Sequence, residues 1–158
     1  MTSKCKMRSR TAKWFECDVK YQKTMDDGLE KTVTEHYVVD ALSFTEAEAR
    51  IINELQPCIT GDFKITGIKP APYGEVFFCE TGNVDRWYKV RIELLTINEK
   101  TEKEKKSYVR YLVNASCLND ALRNIDDVFA GTMLDYKSVN ISESMILDVF
   151  EHKDKEKK

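Results

Sequence analysis

The sequence predicts an α+β protein made by tandem duplication of a β-β-α-β-β unit, in which each antiparallel sheet packs against one helix. Residues 13–79 and 86–151 carry similar residues in the same order, which is the signature of a repeated structural unit. Within each copy, alternating apolar and polar residues, the period of a half-buried strand, surround a helical pattern. We expect the two copies to pack about a pseudo-twofold axis, as the subunits of a homodimer do.

The duplication is clearest at the two tryptophans of the chain, because Trp87 follows Trp14 by 73 positions. The offset becomes 74 after the first hairpin and returns to 73 at Asp62 and Asp135, which places one inserted residue in a hairpin loop. Loops tolerate such insertions at little cost. Other matched pairs are Phe15 and Tyr88, Val19 and Ile92, Val39 and Val113, Ala47 and Ala121, and Ile68 and Ile141.

A hairpin opens each copy. Alternation from Phe15 to Tyr21 predicts a strand, and Asp27-Gly28 predicts a tight turn because glycine tolerates a positive φ. The return strand ends near Ala41. The corresponding features of the second copy are alternation from Tyr88 to Leu94, a charged turn over residues 98–106 and a return strand ending near Ala115.

A helix follows each hairpin. Thr45 with Glu48 three residues later fits a capping box, apolar residues from Ala47 to Leu55 share one helical face, and Pro57 ends the helix. In the second copy, Asn119 takes the cap position and Gly131 the C-terminal stop. Two short strands should then close each copy, 62–69 with 74–79 and 135–141 with 145–151.

The remaining segments are a basic arm over residues 1–12, a linker over residues 80–85 and a charged tail over residues 152–158. We expect the arm and the tail to be flexible and disordered, and the linker to be short enough to keep the two copies in one body. The net charge of −2 selects neither nucleic acid nor a membrane as the partner.

The composition favours a cytoplasmic protein without a membrane segment. No stretch approaches the roughly 20 apolar residues of a membrane span, and no apolar segment follows the basic N-terminus as in a secretory signal. The five cysteines include no C-x-x-C pair, which disfavours a disulfide framework or a structural zinc site. Cys17 and Cys117 lie in apolar stretches, where a free thiol behaves as a small hydrophobic residue.

Sequence motifs for catalysis are absent, so we expect no enzymatic activity and no cofactor. The chain has no histidine pair with zinc spacing, no G-x-S-x-G elbow and no glycine-rich phosphate loop. His36 is interpreted as an ordinary strand histidine. One enzymatic alternative remains, in which repeat-related carboxylates meet and hold a divalent metal ion. Those carboxylates are Asp62 with Asp135, and Glu75 with Asp148.

A basic residue precedes the tryptophan at the start of each copy, as Lys13-Trp14 and Arg86-Trp87. Aromatic strands beside basic residues can stack the bases of a single strand. Single-stranded nucleic-acid binding is therefore a second alternative, beside the interpretation of each tryptophan as a core or interface residue. Exposure of the pairs would favour base stacking, and burial of both indoles would exclude it. The basic arm would add phosphate contacts through Lys4, Lys6, Arg8 and Arg10.

Five segments resemble a family of domains of unknown function that is common in Bacteroides-group bacteria and occurs in their phages and mobile elements. The longest of them is VTEHYVVDALSFTEAEARI, in which ALSFTEAEARI is the most specific stretch, and the resemblance covers about residues 13–150. It implies a small cytoplasmic protein and supplies no catalytic residues. The other matching segments are KWFECDVKYQKT, DRWYKVRI, GTMLDY and ILDVF.

Together these observations favour a non-enzymatic binding protein that recognises another macromolecule. We expect a protein partner in preference to a nucleic acid, and no membrane association. A fused internal pair of repeats has no need of a second chain, so we expect a monomer.

Overall fold

The computed structural model describes residues 5–7, 13–79 and 86–151, with side chains from residue 13 onward. Two helices and two sheets confirm the predicted α+β class and its two-unit repeat. The elements are β1 (Cys5–Met7), β2 (Lys13–Thr24), β3 (Glu30–Ala41), α1 (Phe44–Leu55), β4 (Phe63–Pro70), β5 (Glu75–Cys79), β6 (Arg86–Ile97), β7 (Glu104–Ala115), α2 (Leu118–Phe129), β8 (Asp135–Glu143) and β9 (Ile146–Phe150).

The chain forms two compact units. The N unit comprises Arg10–Ala71 and Met145–Lys158, and its sheet has the strand order β4-β2-β3-β9. One face of this sheet packs against α1, because alternate residues of β2 and β3 and one face of α1 are apolar. The buried core of the N unit includes Phe15, Cys17, Val19, Val39, Ala47, Ile51 and Leu55.

The C unit comprises Met1–Ser9 and Pro72–Ser144, and its sheet has the strand order β1-β5-β7-β6-β8. Its helix α2 covers one face of the sheet in the same way as α1 does in the N unit. The buried core of the C unit includes Phe77, Val90, Ile92, Val113, Ile125 and Phe129. In each unit, the sheet face that points away from the helix is called here the outer face.

The closing strands do not pair as the sequence predicted. β4 lies antiparallel to β2, whereas β5 leaves the first repeat and pairs in parallel with β7 of the second. Likewise β8 lies antiparallel to β6, and β9 pairs in parallel with β3. Each unit therefore contains the last strand of the other repeat.

A repeated backbone hydrogen bond explains why β4 and β5 do not form a hairpin. The N–H of Ala71 donates to the carbonyl oxygen of Trp14 at 2.9 Å, and the N–H of Ser144 donates to that of Trp87 at 2.9 Å. These bonds keep the chain on β2 and β6 beyond the ends of β4 and β8. Pro72 also favours an extended backbone at Ala71, so the chain continues instead of reversing.

The two long hairpins agree with the prediction. β2 pairs with β3 from Lys13 opposite Ala41 to Thr24 opposite Glu30, and Gly28 in the turn has φ 83°. β6 and β7 are paired over twelve residues each in the same way. The longer charged turn between them accounts for the change of offset from 73 to 74.

The predicted helix caps are wrong by two residues in each repeat. The Ser43 side chain accepts a hydrogen bond from the N–H of Glu46 at 3.2 Å, so the capping pair is Ser43 and Glu46. Thr45 and Glu48 have the same spacing two residues later in the chain. The helix begins at the earlier pair because β3 ends at Ala41. In the second repeat the cap position is Cys117, with no side-chain cap bond.

The cysteines differ from the prediction in two respects. Cys117 is exposed, whereas the sequence predicted a small hydrophobic residue in an apolar stretch, and Cys79 is disulfide-bonded. The register of β1 on β5 sets the backbone of Cys5 opposite that of Cys79. Cys17 is a buried free thiol, as expected. No helix in the described parts of the chain is both long and apolar enough to cross a membrane.

Candidate functional site: a cross-strand pair repeated on both sheets

Both tryptophans that the sequence singled out are buried. Trp14 and Trp87 each expose 5% of their surface, and the ring of Phe78 packs edge-on against Trp87 with the centroids 5.4 Å apart. A base cannot stack on an indole that has no exposed face. The structure therefore does not offer the pair of stacking platforms that the nucleic-acid alternative required.

The basic residues beside the tryptophans lie at the surface. Lys13 is exposed, and the guanidinium of Arg86 is exposed with a nitrogen 3.9 Å from the carboxylate of Glu143. The prediction for the basic arm concerns Lys4, Lys6, Arg8 and Arg10, which lie outside the residues with described side chains.

The repeat-related carboxylates are divided between the units. Asp62 and Asp148 belong to the N unit, whereas Asp135 and Glu75 belong to the C unit. Among the described residues, no three histidine, cysteine, aspartate or glutamate side chains are grouped as metal ligands. Desolvation raises the pKa of Asp148, and a hydrogen bond from the N–H of Val149 opposes that rise.

Both sheets carry a β-bulge at the same repeat position. The register of β2 with β4 shifts between Asp18 and Val19, and the register of β6 with β8 shifts between Arg91 and Ile92. Bulges redirect the neighbouring side chains and often occur next to functional sites. The extra residues of the bulges lie on β4 and β8. The facing residues of β2 and β6, Asp18 and Arg91, both point to the outer face, since Val19 and Ile92 point into the cores.

In the N unit, the β2 residue at the register shift is paired with a histidine. Asp18 and His36 are direct cross-strand partners, and their Oδ1 and Nδ1 atoms lie 2.6 Å apart. A Cβ atom at Gly67 would lie 3.1 Å from Oδ2 of Asp18, so this glycine leaves room for the carboxylate. Both side chains remain partly exposed, with 39% and 34% of their surfaces accessible.

In the C unit, the equivalent positions carry two arginines. Arg91 and Arg110 are direct cross-strand partners on β6 and β7, and both are exposed. The guanidinium of Arg91 lies over the ring of Tyr108, 4.3 Å from its centroid. The hydroxyl of Tyr108 donates to the carboxylate of Glu93 at 3.1 Å, which holds the ring on the outer face.

Further polar side chains flank the two arginines on β8. Asn140 is the strand partner of Arg91, and Lys137 is the strand partner of Glu93. The exposed set on this part of the outer face is called here the arginine face. It consists of Arg91, Tyr108, Arg110, Lys137 and Asn140. The same positions of the N unit hold Asp18, Thr34, His36, Lys64 and Gly67.

The arginine pair carries an energetic cost in the free protein. Like charges directly opposite each other on neighbouring strands destabilise a sheet, and neither arginine forms an ion pair with a carboxylate in the described parts of the chain. Stacking on Tyr108 offsets part of this cost, since an exposed cation–π contact contributes about 0.5–1 kcal/mol. A bound anion would remove the repulsion, because guanidinium groups form paired hydrogen bonds with phosphate and carboxylate.

The surface grooves of the N unit offer less chemistry. A shallow groove of about 310 Å³ lies between the start of α1 and β4, and Glu48 is its one ionisable side chain. No carboxylate, thiol or imidazole faces Glu48 in this groove as an acid–base partner. The arginine face is therefore the better candidate site.

The sequence analysis did not predict either cross-strand pair, although both pairs follow from the position of the first hairpin turn. The Asp27-Gly28 turn sets the register of β2 on β3, which places residue 18 opposite residue 36. Applying the repeat offsets to that pair identifies Arg91 and Arg110.

A family model described as Domain of unknown function (DUF4494) matches residues 13–152. The chain belongs to this family. The predicted resemblance to a family of domains of unknown function is thereby confirmed, and the family's domain contains both repeats and both cross-strand pairs. No curated protein and no solved structure matches the chain.

Proposed function

We propose that the protein is a non-enzymatic binding protein that holds an anionic region of a macromolecule on the arginine face. The observation that carries this proposal is the placement of Arg91 directly opposite Arg110, both exposed and without a carboxylate partner in the described chain. Two guanidinium groups side by side form a site for anions, because each presents a fixed fork of donors.

Binding fits this face better than catalysis does. A guanidinium group stays protonated and cannot act as a general base. The one buried free thiol in the described chain, Cys17, has its pKa raised to about 12 by burial and by the charges of Asp18 and Glu16. A thiol with a raised pKa is a poor nucleophile.

The shape of the face supports a macromolecular ligand. Its residues come from three adjacent strands, β7, β6 and β8, so the face is about 10 Å wide across strands that are spaced by about 4.8 Å. Tyr108 on β7, two residues from Arg110, and Lys137 on β8 extend the face along the strands. An open surface of this size suits an extended polyanion more than a single small anion, which would remain mostly solvated.

The family resemblance supports the biological setting that we propose. The sequence resemblance implies a source in Bacteroides-group bacteria or their phages, and in that setting we propose a cytoplasmic protein in a regulatory or host-interaction role. In this proposal the protein acts as a monomer.

The test is the binding of fluorescent polyanions to the whole chain, with Arg110→Gln as the variant and Arg123→Gln as the matched control. Arg123 is an exposed arginine of α2, so both variants lose one positive charge. We expect Arg110→Gln to weaken binding about tenfold or more, because a charge-assisted hydrogen bond contributes about 1.5–3 kcal/mol. Equal weakening in both variants, or no binding of any polyanion at low salt, would refute the proposal.

A further inference from the structure

We infer that the arginine face binds single-stranded nucleic acid, with phosphates on Arg91 and Arg110 and a base stacked on the Arg91–Tyr108 pair. This inference rests on the proposed function and names its ligand. It also moves the nucleic-acid site away from Trp14 and Trp87, which are buried. The new site is the exposed outer face of the β6–β7 hairpin and of β8.

The first step is charge. Cβ atoms of directly opposed residues in an antiparallel pair lie about 4.5–5.5 Å apart, so Arg91 and Arg110 can contact one phosphate together or two in succession. Lys137 adds a third positive charge on β8. The nearby carboxylate of Glu93 accepts a hydrogen bond from the hydroxyl of Tyr108 and has Lys137 opposite it, so the face stays positive overall.

The second step is the planar surface. Tyr108 exposes 49% of its surface, and the guanidinium carbon of Arg91 lies over the ring, 4.3 Å from its centroid. Rings and guanidinium planes are the groups on which proteins stack unpaired bases. Both planes are exposed on one face of one sheet, where a base can add to the stack.

The third step is the supply of neutral polar groups. Asn140 is the strand partner of Arg91, and Ser142 lies two residues further along β8 on the same outer face. Both are exposed. An amide and a hydroxyl can each donate and accept hydrogen bonds, which suits base edges and sugar hydroxyls as well as phosphates.

These features favour a single strand over the other polyanions. Bases in a duplex are stacked on each other and do not present a free plane to a protein side chain. An acidic peptide would use the arginines but not the stacked pair, and extended peptides more often add to the edge of a sheet than lie on its face. A protein partner, which the sequence favoured, is therefore the competing outcome of the test.

The N unit provides a built-in comparison. Its equivalent positions carry the carboxylate of Asp18 where Arg91 lies and Gly67 where Asn140 lies. A carboxylate repels phosphate, and Thr34 replaces the ring of Tyr108. We therefore expect one nucleic-acid site per chain, located on β6, β7 and β8.

The experiment is a fluorescence-anisotropy titration of the full chain with labelled oligothymidylate, a duplex of the same length and labelled poly-glutamate, at several salt concentrations. We expect the oligothymidylate to bind most tightly, with an affinity that falls as salt increases. Arg110→Gln should lower the slope of log K against log salt by about 0.7, the value for one phosphate contact on a single strand. Arg123→Gln should leave the slope unchanged.

Two variants of Tyr108 test the stacking step separately. Tyr108→Ala should weaken binding roughly 5- to 150-fold, as expected for the loss of one stacked base, without changing the salt slope. Tyr108→Phe keeps the ring and should bind within a few-fold of the wild-type chain. Thermal unfolding of each variant verifies that it is folded.

The outcomes separate this inference from the proposed function. Binding of poly-glutamate that depends on Arg110, with weaker binding of oligothymidylate, would overturn the inference and leave the proposed function standing. Equal affinity for duplex and single strand, or wild-type affinity of Tyr108→Ala, would also overturn it. No binding to any of the three polyanions would overturn both.

Discussion

Replacing Arg110 by glutamate should stabilise the protein. In the wild-type chain Arg110 and Arg91 are direct cross-strand partners, so two positive charges face each other on the sheet. Arg110→Glu converts this like-charge pair into an opposite-charge pair. A cross-strand pair of either kind changes stability by about 0.2–1 kcal/mol. The like-charge pair destabilises the sheet, and the opposite-charge pair stabilises it. The free energy of unfolding should therefore rise by about 0.5–1.5 kcal/mol, after allowance for the exposure of both side chains.

Urea denaturation at low and high salt is the assay. The increase in the free energy of unfolding should be smaller at high salt, because screening weakens interactions between exposed charges. It should also fall when Arg91 is already replaced by glutamine, since the attractive partner is then missing. The control Arg123→Glu changes the net charge equally but removes an arginine that lies 3.8 Å from Asp120, so it should slightly destabilise the chain.

The reasoning would be refuted if Arg110→Glu lowered the free energy of unfolding, or if its gain were independent of salt and of Arg91. Because the same substitution should abolish polyanion binding, it separates stability from function. A variant that is more stable and inactive would indicate that the arginine pair is a functional feature with a structural cost.

Three further predictions concern the cores and the N unit. Gly67→Ala should destabilise the protein by about 1 kcal/mol and perturb the imidazole NMR signals of His36, because its Cβ would lie 3.1 Å from Oδ2 of Asp18. Cys17 should resist iodoacetamide in the folded protein, as judged by peptide mass spectrometry, because burial raises its pKa to about 12; the exposed free thiols should react. Desolvation raises the pKa of Asp148 in the folded state. The stabilisation that this shift gives to the folded protein is fully present below the unfolded-state pKa of about 3.9, and it is lost as pH rises through the raised folded-state pKa. Asp148→Asn should therefore be more stable than wild type in urea at neutral pH, with the difference vanishing below about pH 4.

Local patterns predicted the long hairpins and the helices correctly. Alternation from Phe15 to Tyr21 reports directly on burial of one sheet face, and the Asp27-Gly28 turn sets the register of the whole hairpin. The helix cap was misplaced because Ser43 and Thr45 both begin a capping-box pattern. Only the position where β3 ends distinguishes these two possibilities, and that position depends on tertiary pairing.

The pairing of β5 and β9 could not be predicted from local patterns. A short apolar strand such as Glu75–Cys79 is compatible with any free sheet edge, and the two repeats offer equivalent edges on β3 and β7. The choice depends on the path of the chain after Pro70 and Ala71, which carries no periodic signal. Exchange of equivalent strands between repeats preserves every local preference, so the sequence of one repeat cannot reveal it.

The candidate site was missed for a different reason. Trp14 and Trp87 are the two tryptophans of the chain and occupy equal repeat positions, but both are buried core residues. The candidate site differs between the repeats, since Arg91 and Arg110 take the places of Asp18 and His36. The exchange of Asp18 for Arg91 can be linked to that of His36 for Arg110 only when the strand register is applied to both copies.

The most direct test of the arginine face is a map of amide chemical-shift changes in the ¹⁵N-labelled chain on addition of oligothymidylate. We expect the changes to cluster on β6, β7 and β8 around Arg91, Tyr108, Arg110 and Asn140, with the equivalent region around Asp18 and His36 unaffected. Changes centred on the N unit, on α2 or on neither sheet would contradict the assignment of the arginine face as the recognition surface.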